Sequence, residues 1–490
     1  MKKSSLKIIL GGITSMKSKR FLAGVLSTVL LTGALTGCSG GAASSAAGAA
    51  STGSGASGAA STASTQAAGK SVTLNFLYWA DDAQTKMVKS SCRAYEKANP
   101  GVTIKEQALP ADGTFDQYIQ SAKEKGTLPN ISYMGEGDIQ KYNEMGLLAD
   151  ISDVFENGTV KEKLPAVTVK DPKTKKVIAV GLSNQMNLLY YSKSKLKDAG
   201  IETPPTDVSK AWDWDTFVKN CKKLTKDSNG KTAADAGFDP SLIENYGLGF
   251  NCLREFHLFW GMYANGGGVV SADGSQFLMD KNESIEGVQK FADLMNKDHV
   301  ASAATYSFTG GAGAVADGIS AGYAMMINGS WDLANVKGND DIGVGVLPKM
   351  KNAVTVNCGG PLVVYKTDDK DVLAASKKFY AYMVDPAQNL ALVKSGAWLP
   401  NQSDWYTDAS LVSKWGDEYP AGAKDSILSY ANTKGAIAQW PAYYVPAYNK
   451  MNATFEKYID KALSGKETAK QAFGECMPEI KKQFESGTVG

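Results

Sequence analysis

Histidine is nearly absent from this chain: His257 and His299 are the two in 490 residues. Both precede Gly318-Ile-Ser320-Ala-Gly322, a match to the nucleophile elbow of serine hydrolases. That motif needs a strand before the serine, a helix after it and a triad histidine downstream. Here a helical stretch precedes it and an apolar strand, Tyr323 to Ile327, follows, so the match carries no catalytic reading. None of the six cysteines (Cys38, Cys92, Cys221, Cys252, Cys358, Cys476) lies in a CxxC pair or near a histidine at metal-ligand spacing. No zinc or dithiol centre is expected, and no cofactor. A chain this long builds cores without disulfide staples; a single bridge is left open. Thr309-Gly-Gly-Ala-Gly313 lacks the Lys-Ser/Thr of a phosphate-binding loop. Lys226-Asp-Ser-Asn-Gly230 resembles part of a calcium loop, but its glycine comes too early, and it reads as a turn.

Acidic residues are missing from the N-terminal segment, which carries Lys2, Lys3, Lys7, Lys17, Lys19 and Arg20. An apolar run from Phe21 to Leu35 follows. It has the length of a signal-peptide core and falls short of the roughly 20 residues that span a bilayer. Leu35-Thr36-Gly37-Cys38 then predicts cleavage and lipidation at Cys38, so residues 1–37 read as a lipoprotein signal peptide. Residues 38–70, almost entirely Gly, Ala, Ser and Thr, read as a tether reaching on the order of 30 Å. Later stretches of membrane-spanning length all contain charge, so the body is expected to be soluble and held to the membrane by its lipid alone. Without residues 1–37 the chain has 46 Lys and Arg against 50 Asp and Glu, which leaves no basic footprint for nucleic acid.

The remaining residues alternate short apolar strands with amphipathic helices. Val72 to Tyr78 predicts a strand and Gln84 to Asn99 a helix stopped by Asn99-Pro100-Gly101. Val102 to Glu106, Phe115 to Lys125 and Asn130 to Met134 continue as strand, helix and strand. Further strands are expected at Val177–Val180, Leu188–Tyr191, Tyr323–Ile327, Ile342–Leu347 and Leu362–Tyr365, with helices prevailing after about residue 370. This rhythm predicts α/β architecture with mostly parallel sheets, and the length predicts two domains.

Several segments carry a family likeness. They are Leu74-Asn-Phe-Leu-Tyr-Trp-Ala-Asp81, Tyr95-Glu-Lys-Ala-Asn-Pro-Gly-Val102, Leu128-Pro-Asn-Ile-Ser-Tyr133 and Met145-Gly-Leu-Leu-Ala-Asp150. Leu189-Tyr-Tyr-Ser-Lys193, Ala324-Met-Met-Ile-Asn-Gly-Ser-Trp331 and Val344-Gly-Val-Leu-Pro348 follow in order. Together, over Val72 to Lys482, the chain resembles family 1 extracellular solute-binding proteins of ABC importers, the maltodextrin-binding kind. The resemblance implies the two-lobed periplasmic-binding-protein-like fold (type II), its lobes joined by hinge strands. Crossings are expected near Val180–Leu182, Gly343–Leu347 and Asp385–Val393. The lobes would then be 71–182 plus 343–390 and 183–342 plus 391–490.

The carboxyl ends of strands in such sheets border the ligand cleft. Trp79, Asp81 and Asp82 follow the first strand, and Glu136 and Asp138 the third. Indole faces stack on pyranose rings, and carboxylates accept hydroxyl hydrogens. Met134 stands where the maltodextrin relatives carry a stacking Trp, which leaves sugar identity open. Asn184, Gln185 and Asn187 lie just past the first crossing, where buried amides need partners and a ligand can be one. Asn328 and Trp331 end a strand; the resemblance places Trp331 as a stacking face. It also places Trp440, Tyr443 and Tyr444 as an aromatic wall, with Glu255 and His257 as contacts in the second lobe. Cys358-Gly359-Gly360 and Trp398 lie near the cleft edges.

The implied function is a substrate-binding lipoprotein that captures a sugar, an oligosaccharide for preference, by hinge closure and hands it to the permease subunits of an ABC transporter. It would work as a monomer on the outer side of the bacterial cytoplasmic membrane. Two alternatives stand beside it. A cell-surface glycoside hydrolase would use Asp81, Glu136 or Glu255 as a carboxylate pair, although no spacing marks one. A carbohydrate adhesin would share the anchor without needing a hinge.

Overall fold

The computed structural model describes residues 71–80, 82–109, 114–156, 161–250, 254–302 and 314–487. The signal segment, Cys38, the tether, Asp81, Cys252 and Thr309–Gly313 lie outside the described residues.

Fourteen strands occur among the described residues. In chain order they are β1 (Val72–Tyr78), β2 (Val102–Ala108), β3 (Ile131–Tyr133), β4 (Thr168–Lys170), β5 (Val177–Gly181), β6 (Gln185–Ser192) and β7 (Lys226–Asp227). Then come β8 (Ile243–Asn245), β9 (Leu248–Phe250), β10 (Met325–Gly329), β11 (Ile342–Gly345), β12 (Thr355–Cys358), β13 (Pro361–Val364) and β14 (Ile437–Gln439). They form two large sheets and a two-stranded ribbon, β7-β8.

The first sheet has the order β2-β1-β3-β13-β5-β4. Its β1 pairs parallel with β2 and with β3, as strands joined by crossover helices must. Those helices are Asp82–Ala98 and Phe115–Glu124, the second started by Thr114, whose hydroxyl accepts from Gln117 N. Leu74, Phe76, Val88, Cys92 and Tyr95 pack with Phe379 and Met383 of the helix Lys370–Met383 on one face. Leu77, Ile119, Tyr142 and Val363 fill the other.

The second sheet runs β14-β12-β6-β10-β9, with β11 also on β6. Strand β6 is its spine, and both faces are covered. Leu189 and Tyr191 enter one core with helices Arg254–Ala264, Asn282–Asn296, Tyr448–Leu463 and Ala469–Ser486. Met186, Leu188 and Tyr190 enter another with Met326, Val344 and Trp415. Burial on both sides is why Leu188 to Tyr191 reads as an unbroken apolar run. Trp260, fully buried, anchors the first of these cores and donates its indole hydrogen to Val354 O at 2.7 Å.

The turn at Lys226–Gly230 is organised by Asp227, whose carboxylate accepts from Asn229 N, Lys231 N and Asp239 N. It is a backbone-capping carboxylate, consistent with the turn read from the sequence. Among the described residues no helix is long and apolar enough to cross a membrane.

The lobe boundaries differ from the sequence expectation. Residues 343–358 do not return to the first sheet, because β11 and β12 pair antiparallel with β6. The return falls at Gly359–Gly360, immediately before β13. The third passage is drawn out along residues 390–399: Leu392, Ala397 and Trp398 pack in the first lobe's core, whereas Leu390, Val393 and Leu399 pack in the second's.

Candidate functional site

Every strand end named below lies on one edge of its sheet. In the first sheet that edge carries the ends of β1, β2, β3 and β5 and the start of β13. In the second it carries the ends of β9, β10, β12 and β14 and the start of β6. The two edges meet where the chain crosses between sheets.

The crossings hold one another. Leu182 N and Ser183 N donate to Gly360 O and Gly359 O at 3.3 and 3.1 Å. Asn184 N donates to Leu399 O at 3.2 Å, and Leu399 N returns a bond to Ser183 Oγ at 2.6 Å. A Cβ on Gly359 would stand 2.4 Å from Ser183 O, and Gly360 has φ +55°, so this passage requires glycine. Asn401 braces it from behind: its amide donates to Gly181 O and Val384 O, both at 3.0 Å. Lys163, buried, donates to Val384 O at 2.5 Å and to Asn401 Oδ1 at 3.2 Å. Burial lowers its ammonium pKa to about 7, against the opposing pull of Asp385 and Asp404.

Several predicted amides are committed to this hinge. Asn184 is buried, donating to the Tyr406 hydroxyl at 3.4 Å and accepting from Asn357 Nδ2 at 3.2 Å. Gln185, partly exposed, donates to Ala397 O at 3.2 Å. Asn328 is buried; it accepts from Gly329 N and donates to Asp332 Oδ2. All three have protein partners, so each has a structural role whatever else it touches. Asn187 differs: it is wholly buried, and neither side-chain atom has a hydrogen-bond partner.

The predicted carboxylates occupy the 3-10 turn Glu136–Asp138. Glu136 Oε1 accepts from Gly360 N at 3.3 Å, and burial raises its pKa. Asp138 is raised by burial and then by Asp116, and it accepts from Asn449 Nδ2 at 3.0 Å. Asn449 belongs to the helix Tyr448–Leu463 of the second lobe, so this bond joins the lobes. Gln140 Nε2 donates to Tyr443 O at 3.1 Å, and the Tyr443 ring packs in the first lobe beside Tyr142 and Val363. A Cβ on Gly137 would lie 2.0 Å from Asn449 Oδ1, so a side chain here would displace the Asn449 amide from Asp138.

The aromatic candidates separate. Trp79, 50% exposed beyond β1, is free to meet a solute. Trp331 is partly buried with its ring on the Cα of Gly329, 6.0 Å from the ring of Phe256. Phe256 stacks in turn on Trp440 at 5.0 Å. Trp440 is a core residue, 6% exposed, and its indole donates to the Tyr448 hydroxyl. Tyr443 is buried beside Gly359, and burial followed by Glu136 raises its pKa. Tyr444 is partly buried against Gly274, close to Tyr263. Met134 and Trp398 are buried in the first lobe. His257 is buried in the second lobe, its pKa lowered by burial to about 3, and Cys358 is a buried free thiol. The side chains of Asp82 and Glu255 are outside what the structure describes.

Lys163 and Asn401 escaped the sequence reading. Their neighbours Glu162-Lys-Leu-Pro165 and Leu399-Pro-Asn401 look like ordinary polar turns, and only the crossing geometry gives them a role.

A family model described as bacterial extracellular solute-binding protein matches residues 90–421. The multiple sugar-binding protein of Streptococcus mutans is 23% identical over 337 residues, 65% of this chain and 72% of that protein. Among solved structures, the maltose/maltodextrin-binding domain of Bdellovibrio bacteriovorus bound to maltotriose superposes with a TM-score of 0.64 at 17% identity. The match covers 84% of this chain and all of that one. The substrate-binding protein of Listeria monocytogenes in complex with cycloalternan gives 0.65 at 18%, over 84% of this chain and 98% of that one. These likenesses show the two-lobed α/β fold.

Proposed function

The chain belongs to the bacterial extracellular solute-binding protein family, and from that premise we propose that it captures a sugar between its lobes and delivers it to an ABC permease. The observation that carries this reading is the hinge. Two sheet edges meet across hydrogen-bonded crossings, and side chains from the two lobes touch through Asp138 and Asn449. A solute that contacts both edges favours the closed form, since ligand drives closure only through better binding to that state. Trp79 on one lobe and Trp331 on the other supply stacking faces, with Glu136 and Asn187 as polar arms. Stacking at about 1 kcal/mol per ring leaves most of the roughly −8 kcal/mol of micromolar capture to hydrogen bonds and buried area. The sugars named with the structural neighbours point to an oligosaccharide. Cys38 would bear the lipid, placing the body on the outer face of the cytoplasmic membrane.

The test is a thermal-shift and calorimetry panel of maltose, maltotriose and cycloalternan, with amino acids as controls. Stabilisation by one of the sugars at micromolar concentration is expected. Stabilisation by an amino acid alone, or release of shorter sugars during incubation, overturns the reading.

A further inference from the structure

Strand β6 carries Gln185, Asn187, Leu189 and Tyr191 on one face, and the last two enter a hydrophobic core. On the neighbouring strand β10, Gly329 lies directly opposite Asn187. A Cβ built on Gly329 would meet ring atoms of Trp331 at 2.1–2.2 Å. Met325 and Ile327, which alternate with Gly329 along β10, share the core of Leu189 and Tyr191. The Trp331 ring therefore covers Gly329 on the same face of the sheet as the Asn187 side chain. On the other flank of Asn187 stands Val356 of β12, which supplies no polar side chain. The nearby amides of Gln185 and Asn328 are spent on Ala397 O and Asp332. Asn187 alone of the hinge-proximal amides keeps both its NH2 and its carbonyl unused, at zero exposure.

A buried amide without partners persists only where something compensates for it. Trp331 is the adjacent ring that reaches solvent: it is partly exposed and lies on the bare backbone of Gly329. We infer that Asn187 is a specificity-determining contact of the solute site, reached when the Trp331 ring lifts from Gly329. The inference rests on the sugar-binding reading. A primary amide offers donor and acceptor side by side, which matches two adjacent hydroxyls of a pyranose whose apolar face stacks on the displaced indole. The Asp332 carboxylate beside it is occupied by Val315 N, Asn328 and Asn335, which leaves the Asn187 amide as the unspent group of this corner. The class selected is therefore a sugar unit with two adjacent free hydroxyls beside an apolar ring face.

The test is Asn187→Leu, close in shape and lacking the amide. The ligand-free variant is expected to melt at the wild-type temperature or above it, and its affinity for maltotriose, or for maltose if that binds better, to fall at least tenfold. Wild-type tryptophan emission is expected to shift on binding, with the shift abolished in Trp331→Phe. A fall of several degrees in the ligand-free melting temperature of Asn187→Leu overturns the inference, because the amide then has a structural partner. Equal affinity of wild type and Asn187→Leu overturns it while leaving the sugar reading intact. A wild-type protein that binds neither maltose nor maltotriose removes the premise, and the inference with it.

Discussion

Lys163 makes stability depend on pH between about 7 and 10.5. Its ammonium is buried at the back of the hinge and held near pKa 7, against 10.5 for an exposed lysine. Between those two values the unfolded chain holds a proton that the folded chain has released. Stability therefore rises with pH from 7 towards 10.5 and is lost as pH falls towards 7. Integrating the linkage for one site gives about 2 kcal/mol gained between pH 7 and pH 9. Buried tyrosines and cysteines pull the other way above pH 8, because burial raises their pKa values and the unfolded chain ionises first. The comparison is therefore between wild type and Lys163→Met, which shares those groups. In urea titrations at pH 7, 8 and 9, the stability difference between the two should change by about 2 kcal/mol across the series. Asn401 Nδ2 still donates to Val384 O in the variant, so the hinge keeps one brace and the protein should fold. Parallel pH dependences, agreeing within about 0.5 kcal/mol, would mean that the ammonium is solvated and the burial argument wrong.

Other expectations follow from the same geometry. Glu136→Gln should raise the ligand-free melting temperature at pH 7 while weakening sugar binding, because burial disfavours the charged carboxylate that a sugar hydroxyl would offset. The sign follows from its raised pKa: the stability tied to that proton is present at low pH and lost as pH rises through the folded value, a loss that glutamine lacks. Gly137→Ala should push the Asn449 amide off Asp138, since the new Cβ meets Asn449 Oδ1, and cost about 1 kcal/mol by urea unfolding through the lost bond. Asn401→Ala leaves Gly181 O without that donor and weakens the Lys163 bracket, for a loss of about 2–3 kcal/mol measured by urea unfolding. Trp260→Ala, in the core of the second lobe, should cost about 3–5 kcal/mol by the same assay and identify that core as a main source of stability.

Much of the first sheet was legible because it is built locally. Strand β1 matches its predicted limits, and the first two helices end where Asn99-Pro100-Gly101 and Gly126 interrupt the apolar period. The short strands β9, β12 and β14 were not legible: three or four residues carry too little periodicity to register. Missing β12 displaced the second crossing, since Ile342 to Leu347 was then free to be read as the returning strand. For the site, the strand-end rule located Glu136 and Trp331 beside the hinge, and the first expected crossing located Gln185. What it could not tell was direction. Trp440, after β14, turns inwards, and a sequence gives no means of telling a stacking indole from a core one when both follow a strand.

The amides show why the hinge and the site are hard to separate by residue type. Any polar side chain at a buried crossing must find a partner, and backbone carbonyls freed by the crossing are the nearest candidates. Gln185 and Asn401 take that route, while Asn184 pairs with the Tyr406 hydroxyl and the Asn357 amide, which makes all three hinge pins first. A contact that reads the solute has to remain unspent in the unliganded protein, so that binding supplies the bonds folding did not. By that criterion the informative residue is the one with the worst hydrogen-bonding account, not the one with the most polar surroundings. Asn187 meets it, and it does so opposite the glycine that gives Trp331 its place to rest. Recognition and closure then become one event: the indole moves because a sugar face competes for it, and the amide it uncovers decides which sugars win.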